Sequence, residues 1–269
     1  MRVGGWLMGL LWLMALGAAQ AQSSNDARKI VDTMLSHEGD PAEHRFKYMY
    51  LSEERSERTG EHLWTEQVVE TAMGKVRLLL AEDGMPLSAE RQALERGRLE
   101  MIAAHPDALQ KREQAAESDE EHAEQMLALL DKAFLFDEPR VEGEDLRIGY
   151  RPDPTYQPKT IEEKVLHAMS GEVLVDGKTL QLHRIEGKIP SNVSLGYGIL
   201  GTVHAGSSFA TAHEMEPGGE WKNAMVNTAI EGKAMLFKEI GRNEHVEHSE
   251  FQRVPDNISV ADAVALLVK

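Results

Sequence analysis

The stretch from Leu195 to Gly201 reads LGYGILG and carries glycines at the G-x-G-x-x-G spacing, at positions 196, 198 and 201. That spacing binds the pyrophosphate of a dinucleotide when a strand precedes it and a helix opens on the last glycine. Here the residues after Gly201 predict a strand and then a hairpin turn at Ala205-Gly206-Ser207. No helix N-terminus would therefore be present to bind the pyrophosphate. We therefore expect the glycines to lie within a strand that has one apolar and one bare face, where a sheet bends.

The densest group of ionisable residues is EHVEHSE, Glu244 to Glu250, which could suggest a metal site. The segment predicts a strand, and in a strand the interval of three puts His245 and His248 on opposite sides. No H-E-x-x-H spacing occurs in the chain, so no metal site is predicted. Ser207 and Ser208 follow Gly206 but do not form the G-x-S-x-G turn of a nucleophilic serine, and a hairpin turn is expected there.

The elements that would position these residues are mostly short strands. A helix is predicted from Asp26, which can cap it, to before Gly39, with an apolar stripe at one-turn spacing. Strands follow until Pro86, and a charged insertion at about 88–132 predicts two helices, the second beginning at Pro106. A disordered linker is the alternative for the middle of that insertion.

Beyond the insertion, the pattern returns to strands joined by short turns, including Asp176-Gly177 and Gly232. Two short helices interrupt them, one capped by Thr160 and a last one capped by Ser259. Strands at this spacing, with few helices between them, predict an α+β fold built on a long antiparallel sheet that curves around its filling.

The composition of the chain constrains its cellular location and the classes of molecule it can bind. Residues 1–21 contain an apolar run and end in Ala19-Gln20-Ala21, which is typical of a cleavable signal peptide. Residues 22–269 are expected to form a single domain. Removal of Arg2 leaves 28 basic against 45 acidic residues, a formal charge of −17, which disfavours nucleic acid and anionic membranes. The chain has no cysteine, so disulfides and thiolate chemistry are excluded.

The order of elements, with the segments GEVLVDGKTLQLHRIEGKI, VSLGYGILG and GKAMLFKEI, resembles the lipoprotein carrier (LolA/LolB-like) superfamily of secreted bacterial proteins. The most specific feature is the Val-Asp-Gly-Lys hairpin at 175–178, followed by a strand containing Arg184-Ile185-Glu186. The resemblance implies a strongly curved antiparallel sheet, an unclosed β-barrel of about 11 strands, with helices covering or filling the concave side. It also implies an apolar concavity that receives the acyl chains of lipids or lipoproteins.

Eight apolar residues are candidates to line that concavity, and ordinary core packing is the alternative for each of them. They are Trp64, Val68, Leu78, Leu80, Met126, Leu130, Met225 and Phe237. We expect a non-enzymatic, exported protein, periplasmic or alternatively secreted, that needs no cofactor and binds an apolar ligand. A module for protein interaction or envelope sensing is the alternative, and a hydrolase using His213 or the region around His245 is a third hypothesis.

Overall fold

The computed structural model describes residues 26–38, 47–111, 113, 127–196, 200–216, 218–234 and 238–269. The predicted signal peptide and two of the candidate ligand-contacting residues, Met126 and Phe237, lie outside these ranges. Within them, no helix has the length and apolar character needed to cross a membrane.

Six helices and fourteen strands make up the described chain. The helices are α1 (26–38), α2 (Ala89–Ala104), α3 (106–111), α4 (Leu130–Ala133), α5 (Ile161–Leu166) and α6 (Val260–Leu267). The first strands are β1 (Lys47–Arg55), β2 (Trp64–Thr71), β3 (Gly74–Glu82), β4 (Met85–Pro86), β5 (Phe134–Phe136), β6 (Arg140–Glu142) and β7 (Asp145–Pro152). The others are β8 (Ser170–Asp176), β9 (Leu182–Lys188), β10 (Val193–Leu195), β11 (Gly201–Val203), β12 (Ser208–Met215), β13 (Trp221–Ala234) and β14 (Lys238–Val254).

All the strands belong to one antiparallel sheet that does not close into a barrel. Eleven strands form its main path, in the order β4-β3-β2-β1-β14-β13-β12-β9-β8-β7-β5, while β6, β10 and β11 pair at its margins. Because β4 and β5 lie at opposite ends of this order, the charged insertion between them joins the two edges of the sheet. The predicted α+β class with a large, unclosed antiparallel sheet is confirmed.

One row of paired residues defines the inner face of the sheet. Partners in an antiparallel ladder point to the same side, so the register identifies a face across many strands. The row consists of Ile148, Val173, Ile185, Thr211, Val226, Val246 and Glu54. By alternation along β1, Tyr48 and Tyr50 share this face, so it extends across almost the whole sheet.

Helix α1 packs on the inner face and forms the larger core with it. Of the predicted stripe Ile30, Val31, Met34 and Leu35, Val31 and Met34 are fully buried together with Ala27, and Ile30 and Leu35 pack against the same cluster while partly buried. They meet Ile148, Val173 and other sheet residues in one cluster, which also takes in Leu130 of α4. Leu127 and Leu129 pack against the same cluster, so the C-terminal end of the insertion docks on this core.

Helices α2, α3 and α6 lie on the opposite, outer face, over β1 to β3. Leu99, Leu109 and Val264 of these helices form a second core with Val69 and Val76 of the sheet. The resemblance led us to expect helices on the concave side, whereas these three helices cover the opposite side of this half of the sheet. The reason lies in β2, where Val68 and Val69 point to opposite faces and both are buried.

A β-bulge in β3 changes which face of the sheet its residues point to on either side of Leu80. Thr65 pairs with Ala81, but the next residue, Glu66, pairs with Leu79, so Leu80 is an extra residue in the ladder. Leu79 is consequently buried and Leu80 is 38% exposed. The expectation that Leu78 and Leu80 share a buried face is therefore wrong at Leu80.

The glycines of LGYGILG do not lie inside one strand. β10 ends at Leu195 and pairs with β11, with Leu195 opposite Gly201, so the two strands form a short hairpin. Gly196 has φ +54° and packs under Leu200, a conformation that suits glycine; Gly198 lies outside the described residues. A strand, β11, follows the motif, and this is the feature that removes the dinucleotide interpretation.

Gly232 is likewise not a turn. β13 continues through it to Ala234, and Gly232 pairs with both Val203 and Ile240. In contrast, the predicted Asp176-Gly177 hairpin joins β8 to β9. The predicted caps are also confirmed: the Thr160 and Ser259 hydroxyls accept hydrogen bonds from the backbone N–H groups of Glu163 and Asp262.

Candidate functional site

The inner face under α1 is the first candidate site. Polar contacts hold the helix near both of its ends: Arg28 Nη2 donates to the Phe134 carbonyl at 3.0 Å, and Glu38 Oε2 lies 3.9 Å from His213 Nε2. Between these ends, the helix meets the sheet through an apolar stripe. A hydrocarbon chain could replace that stripe without leaving a polar group unsatisfied.

Two glycines shape the inner face beside this core. Gly171 and Gly187 pair with each other in β8 and β9, and a Cβ on Gly187 would lie 2.5 Å from Tyr150 Oη and 2.6 Å from the Phe209 ring. The two aromatic rings therefore fill the space that side chains would need. Tyr150 Oη also donates to the Glu186 carbonyl at 2.9 Å, which fixes its ring over the glycines.

A second candidate site lies where the end of the β12–β13 hairpin reaches β1. We call Tyr48, Glu70, Glu216, Glu220 and Lys222 the Tyr48 cluster. Lys222 Nζ lies 4.9 Å from the centre of the Tyr48 ring, 3.9 Å from Glu70 Oε2 and 3.7 Å from Glu220 Oε2. Glu216 enters through the turn, in which its N–H donates to the Glu220 carbonyl at 2.8 Å.

The Tyr48 cluster is buried and mostly acidic. Tyr48 is fully buried, Glu216 and Glu220 are buried, and the side chain of Lys222 is 12% exposed. Burial, and then the charges of Glu220 and Glu216, raise the pKa of Tyr48. Burial, followed by the charge of Glu214, also raises the pKa of Glu216. The cluster thus brings three glutamates and Lys222 together at a buried tyrosine, whose N–H donates to Glu70 Oε2 at 3.1 Å.

A separate ionic network closes the far end of β1 and β2. Arg58 binds Glu54 and Glu66 through its guanidinium fork and lies 5.4 Å over the Trp64 ring. Burial disfavours a charge on Glu54, but its hydrogen bonds with Arg58 and Ser56 prevail and hold its pKa below the usual range. Because Arg58 lies in the Glu57–Thr59 turn and binds carboxylates of β1 and β2, the network connects this turn to the sheet.

The structure disperses the candidate ligand-contacting residues. Trp64, Val68 and Leu130 lie on the inner face, but Val68 packs with Tyr48 and Tyr50, whereas Leu130 packs with α1. Leu78 lies in the outer-face core, and Met225 points outward, where its sulfur accepts a hydrogen bond from Asn227. With Leu80 exposed at its bulge, the six described candidates do not line one cavity.

The candidate histidines are held by structural contacts. As predicted, His245 and His248 lie on opposite faces of β14: His245 pairs with Asn227, while His248 pairs with Ser52 on the inner face. His248 Nδ1 donates to the Asn223 carbonyl at 2.9 Å, and burial lowers its pKa. Within the described ranges, no three His, Asp or Glu side chains converge as a metal site would require.

Ser207 lies in the turn between β11 and β12, but this turn does not form the expected hairpin, because the two strands pair with successive parts of β13 and not with each other. Its hydroxyl accepts a hydrogen bond from the Glu231 N–H at 3.1 Å and lies 3.3 Å from the Glu231 carbonyl, so it joins the turn to β13. The residue is buried, and the turn places it between two strands rather than before a helix. These contacts give it a structural role.

The Tyr48 cluster was not predicted from the sequence. Its members come from three separate strands and one turn, and acidic residues are frequent throughout the chain. The one local signal was EPGGEWK, residues 216–222, in which a tight turn carries a glutamate on each side and a lysine two residues later. A turn of this kind usually displays its charges to solvent, so no local pattern indicated their burial.

Two open clefts lie among the described residues. One, of about 370 Å³, lies over Gly171, Gly187 and Phe209, and another, of about 390 Å³, lies among Arg147, Glu172 and neighbouring charged residues. Ion pairs such as Arg147–Glu172 cross the outer face at the second cleft. An apolar ligand under α1 would need the space that the buried face of this helix occupies.

Comparison of the chain with family models, with curated proteins and with solved structures finds no match in any of the three.

Proposed function

We propose that this protein is an exported, non-enzymatic protein of the bacterial cell envelope that binds the acyl chain of a lipid or lipoprotein between the inner face of its sheet and helix α1. The observation that carries this proposal is the way α1 covers the inner face, with an apolar stripe along its length and polar contacts near its ends. Helix α1 then acts as a lid, and an acyl chain takes the place of its stripe.

The physical basis of this exchange is that the apolar stripe of α1 and an acyl chain present the same kind of surface to the sheet. Ala27, Val31 and Met34 offer the sheet only hydrocarbon and a thioether, and a saturated chain offers the same kind of surface. Burial of apolar area contributes about 25 cal/mol per Å², so exchanging one apolar occupant for another costs little. The resemblance to lipoprotein carriers supports the same role, since their concave face is expected to receive acyl chains.

The first test is whether the full chain carries or takes up lipid. Protein purified without detergent should release acyl chains into organic solvent, as detected by mass spectrometry, or should bind a fluorescent fatty acid. Failure of both measurements would remove the proposal and favour the alternative of an interaction module. The acidic segment that would carry that alternative, Glu117 to Glu124, lies outside the described residues.

The second test cross-links helix α1 to the sheet, so that the helix cannot move away from the inner face. The chain has no cysteine, so Glu38→Cys with His213→Cys introduces the only thiols, at side chains that lie 3.9 Å apart. A cleavable bis-maleimide linker across this pair should abolish fatty acid uptake, and reduction of the linker should restore it. The matched control links Glu144→Cys to Lys178→Cys, an exposed pair at 3.2 Å between the β6–β7 and β8–β9 turns, and should leave uptake unchanged.

A further inference from the structure

Helix α2 carries an apolar stripe on the side that faces away from the sheet. On the opposite side of the helix, Leu99 is fully buried in the outer-face core. Leu94 is 68% exposed and Met101 is 60% exposed, and their interval of seven residues puts them on one face of the helix. Between them, a Cβ on Gly97 would meet no neighbouring atom within 4 Å. The stripe is thus open along two turns of α2, and exposed apolar surface of this kind is typical of an interaction site.

Two charged residues flank this stripe on one side and make no ion pair within the described part of the chain. They are Arg96 and Glu100, which are both exposed. The other two arginines of α2, Arg91 and Arg98, each bind a glutamate and are thereby neutralised. A partner that binds the free pair must present a carboxylate opposite Arg96 and a basic group opposite Glu100.

A second copy of α2 that runs antiparallel to the first meets this requirement. With a two-fold axis halfway between Leu94 and Met101, Leu94 comes level with Met101 of the second copy, and the reverse contact follows by symmetry. In an antiparallel pair, equivalent flanks of the two helices meet. Arg96 then lies within one residue, about 1.5 Å along the axis, of Glu100 of the second copy. Gly97 lies beside the axis, where the missing side chain lets the two helices approach closely.

We propose that α2 forms the contact of an antiparallel, two-fold symmetric dimer of this chain. Each Leu94 packs against Met101 of the second copy, and each Arg96 binds Glu100 of the second copy. The contact is confined to one helix of 16 residues from each copy, so it belongs with the small, weak interfaces that bury less than about 1,200 Å². The dimer is independent of the function proposed above, because α2 lies on the outer face of the sheet and α1 on the inner face.

Sedimentation equilibrium of the purified chain, from about 5 µM to about 1 mM in about 0.15 M salt, tests the proposal. The average mass should rise from that of one chain towards twice that value, with a dissociation constant of about 10–500 µM. Each copy has a net charge of −16, and at this ionic strength repulsion between exposed charges is screened beyond about 8 Å. A chain that stays monomeric over the whole range overturns the proposal.

Exchange of the two flanking charges tests the antiparallel register. Arg96→Glu should raise the dissociation constant at least about fivefold, because it places a glutamate against Glu100 of the second copy at two symmetric positions. Adding Glu100→Arg restores opposite charges across the axis and should return the constant to within about twofold of the parent value. Both positions are exposed, so the far-UV circular dichroism should be unchanged. An unchanged constant in Arg96→Glu, or no recovery in the double variant, overturns this register.

A charge within the stripe tests the apolar contact. Met101→Glu should raise the dissociation constant at least about tenfold, because the carboxylate would lose water between the two helices. Val141→Glu is the matched control, since Val141 on β6 is an apolar residue that is 79% exposed, and it should dimerise like the parent chain. A dimer that survives Met101→Glu, or that Val141→Glu weakens equally, has its contact elsewhere and overturns the proposal.

Discussion

Glu66 is one of the most deeply buried charges in this protein, with a side chain 4% exposed, and Arg58 Nη2 lies 2.6 Å from its Oε2. The same guanidinium binds Glu54, so one arginine serves two carboxylates on adjacent strands. Removing one partner of a buried pair leaves an uncompensated charge in a medium that solvates it poorly.

Arg58→Met should therefore destabilise the fold by about 2 kcal/mol, less than for a fully buried pair because the Arg58 side chain is 40% exposed. Urea unfolding followed by circular dichroism measures the change. Adding Glu66→Gln should recover most of it, since the stranded charge is then gone. Arg184→Met, which breaks an exposed pair with Glu186, should cost about 0.5 kcal/mol or less. Equal losses in the two arginine variants would contradict this account.

The bulge in β3 predicts opposite behaviour for two neighbouring leucines. Leu79→Ala should cost about 2–4 kcal/mol because it leaves a cavity in the buried interior. Leu80→Ala should cost less than about 1 kcal/mol, since that side chain is 38% exposed. Chemical denaturation of both variants decides the register: a larger loss at Leu80 would show that the ladder continues without the bulge.

The paired glycines of β8 and β9 should not tolerate a side chain. A Cβ on Gly171 would lie 1.8 Å from the Glu186 carbonyl oxygen, and backbone cannot move aside cheaply, so Gly171→Ala should cost about 3 kcal/mol. Gly97 provides the matched control. It lies inside α2, where a Cβ would meet no neighbouring atom within 4 Å, so Gly97→Ala should stabilise the protein by about 0.5–1 kcal/mol. Thermal melting of the two variants shows whether each substitution lowers or raises the stability.

His248 should make stability depend on pH. Burial lowers its pKa in the folded state below the ordinary 6.5, so the unfolded chain binds a proton that the folded chain does not. Its contribution is complete above about pH 6.5 and is lost as the pH falls from there towards the lowered pKa.

The melting temperature of the parent chain should accordingly fall towards that of His248→Gln as the pH is lowered from 7 to 5. His105→Gln, at an exposed position, is the control for removal of an imidazole elsewhere in the chain. A gap for His248→Gln that stays constant over this range would mean that the imidazole is protonated equally in both states.

Much of the fold could be read from local patterns. The stripe at Val31 and Met34, the caps at Thr160 and Ser259 and the Asp176-Gly177 turn each depend on neighbours within a few residues. Alternation along the strands then indicated one long antiparallel sheet, which the register confirms. These features were determined by the sequence because helix caps, tight turns and side-chain periodicity are short-range physics.

The tertiary structure decided which faces are buried and which charges meet. The bulge at Leu80, the continuation of β13 through Gly232 and the break at Gly196 depend on the partner strand opposite each residue. The Tyr48 cluster gathers Glu70, Glu220 and Lys222 from distant segments, and no spacing along the chain encodes that meeting. Burial and electrostatics act between residues that are close in space, so only the assembled sheet could place an acidic, aromatic cluster at the end of an apolar face.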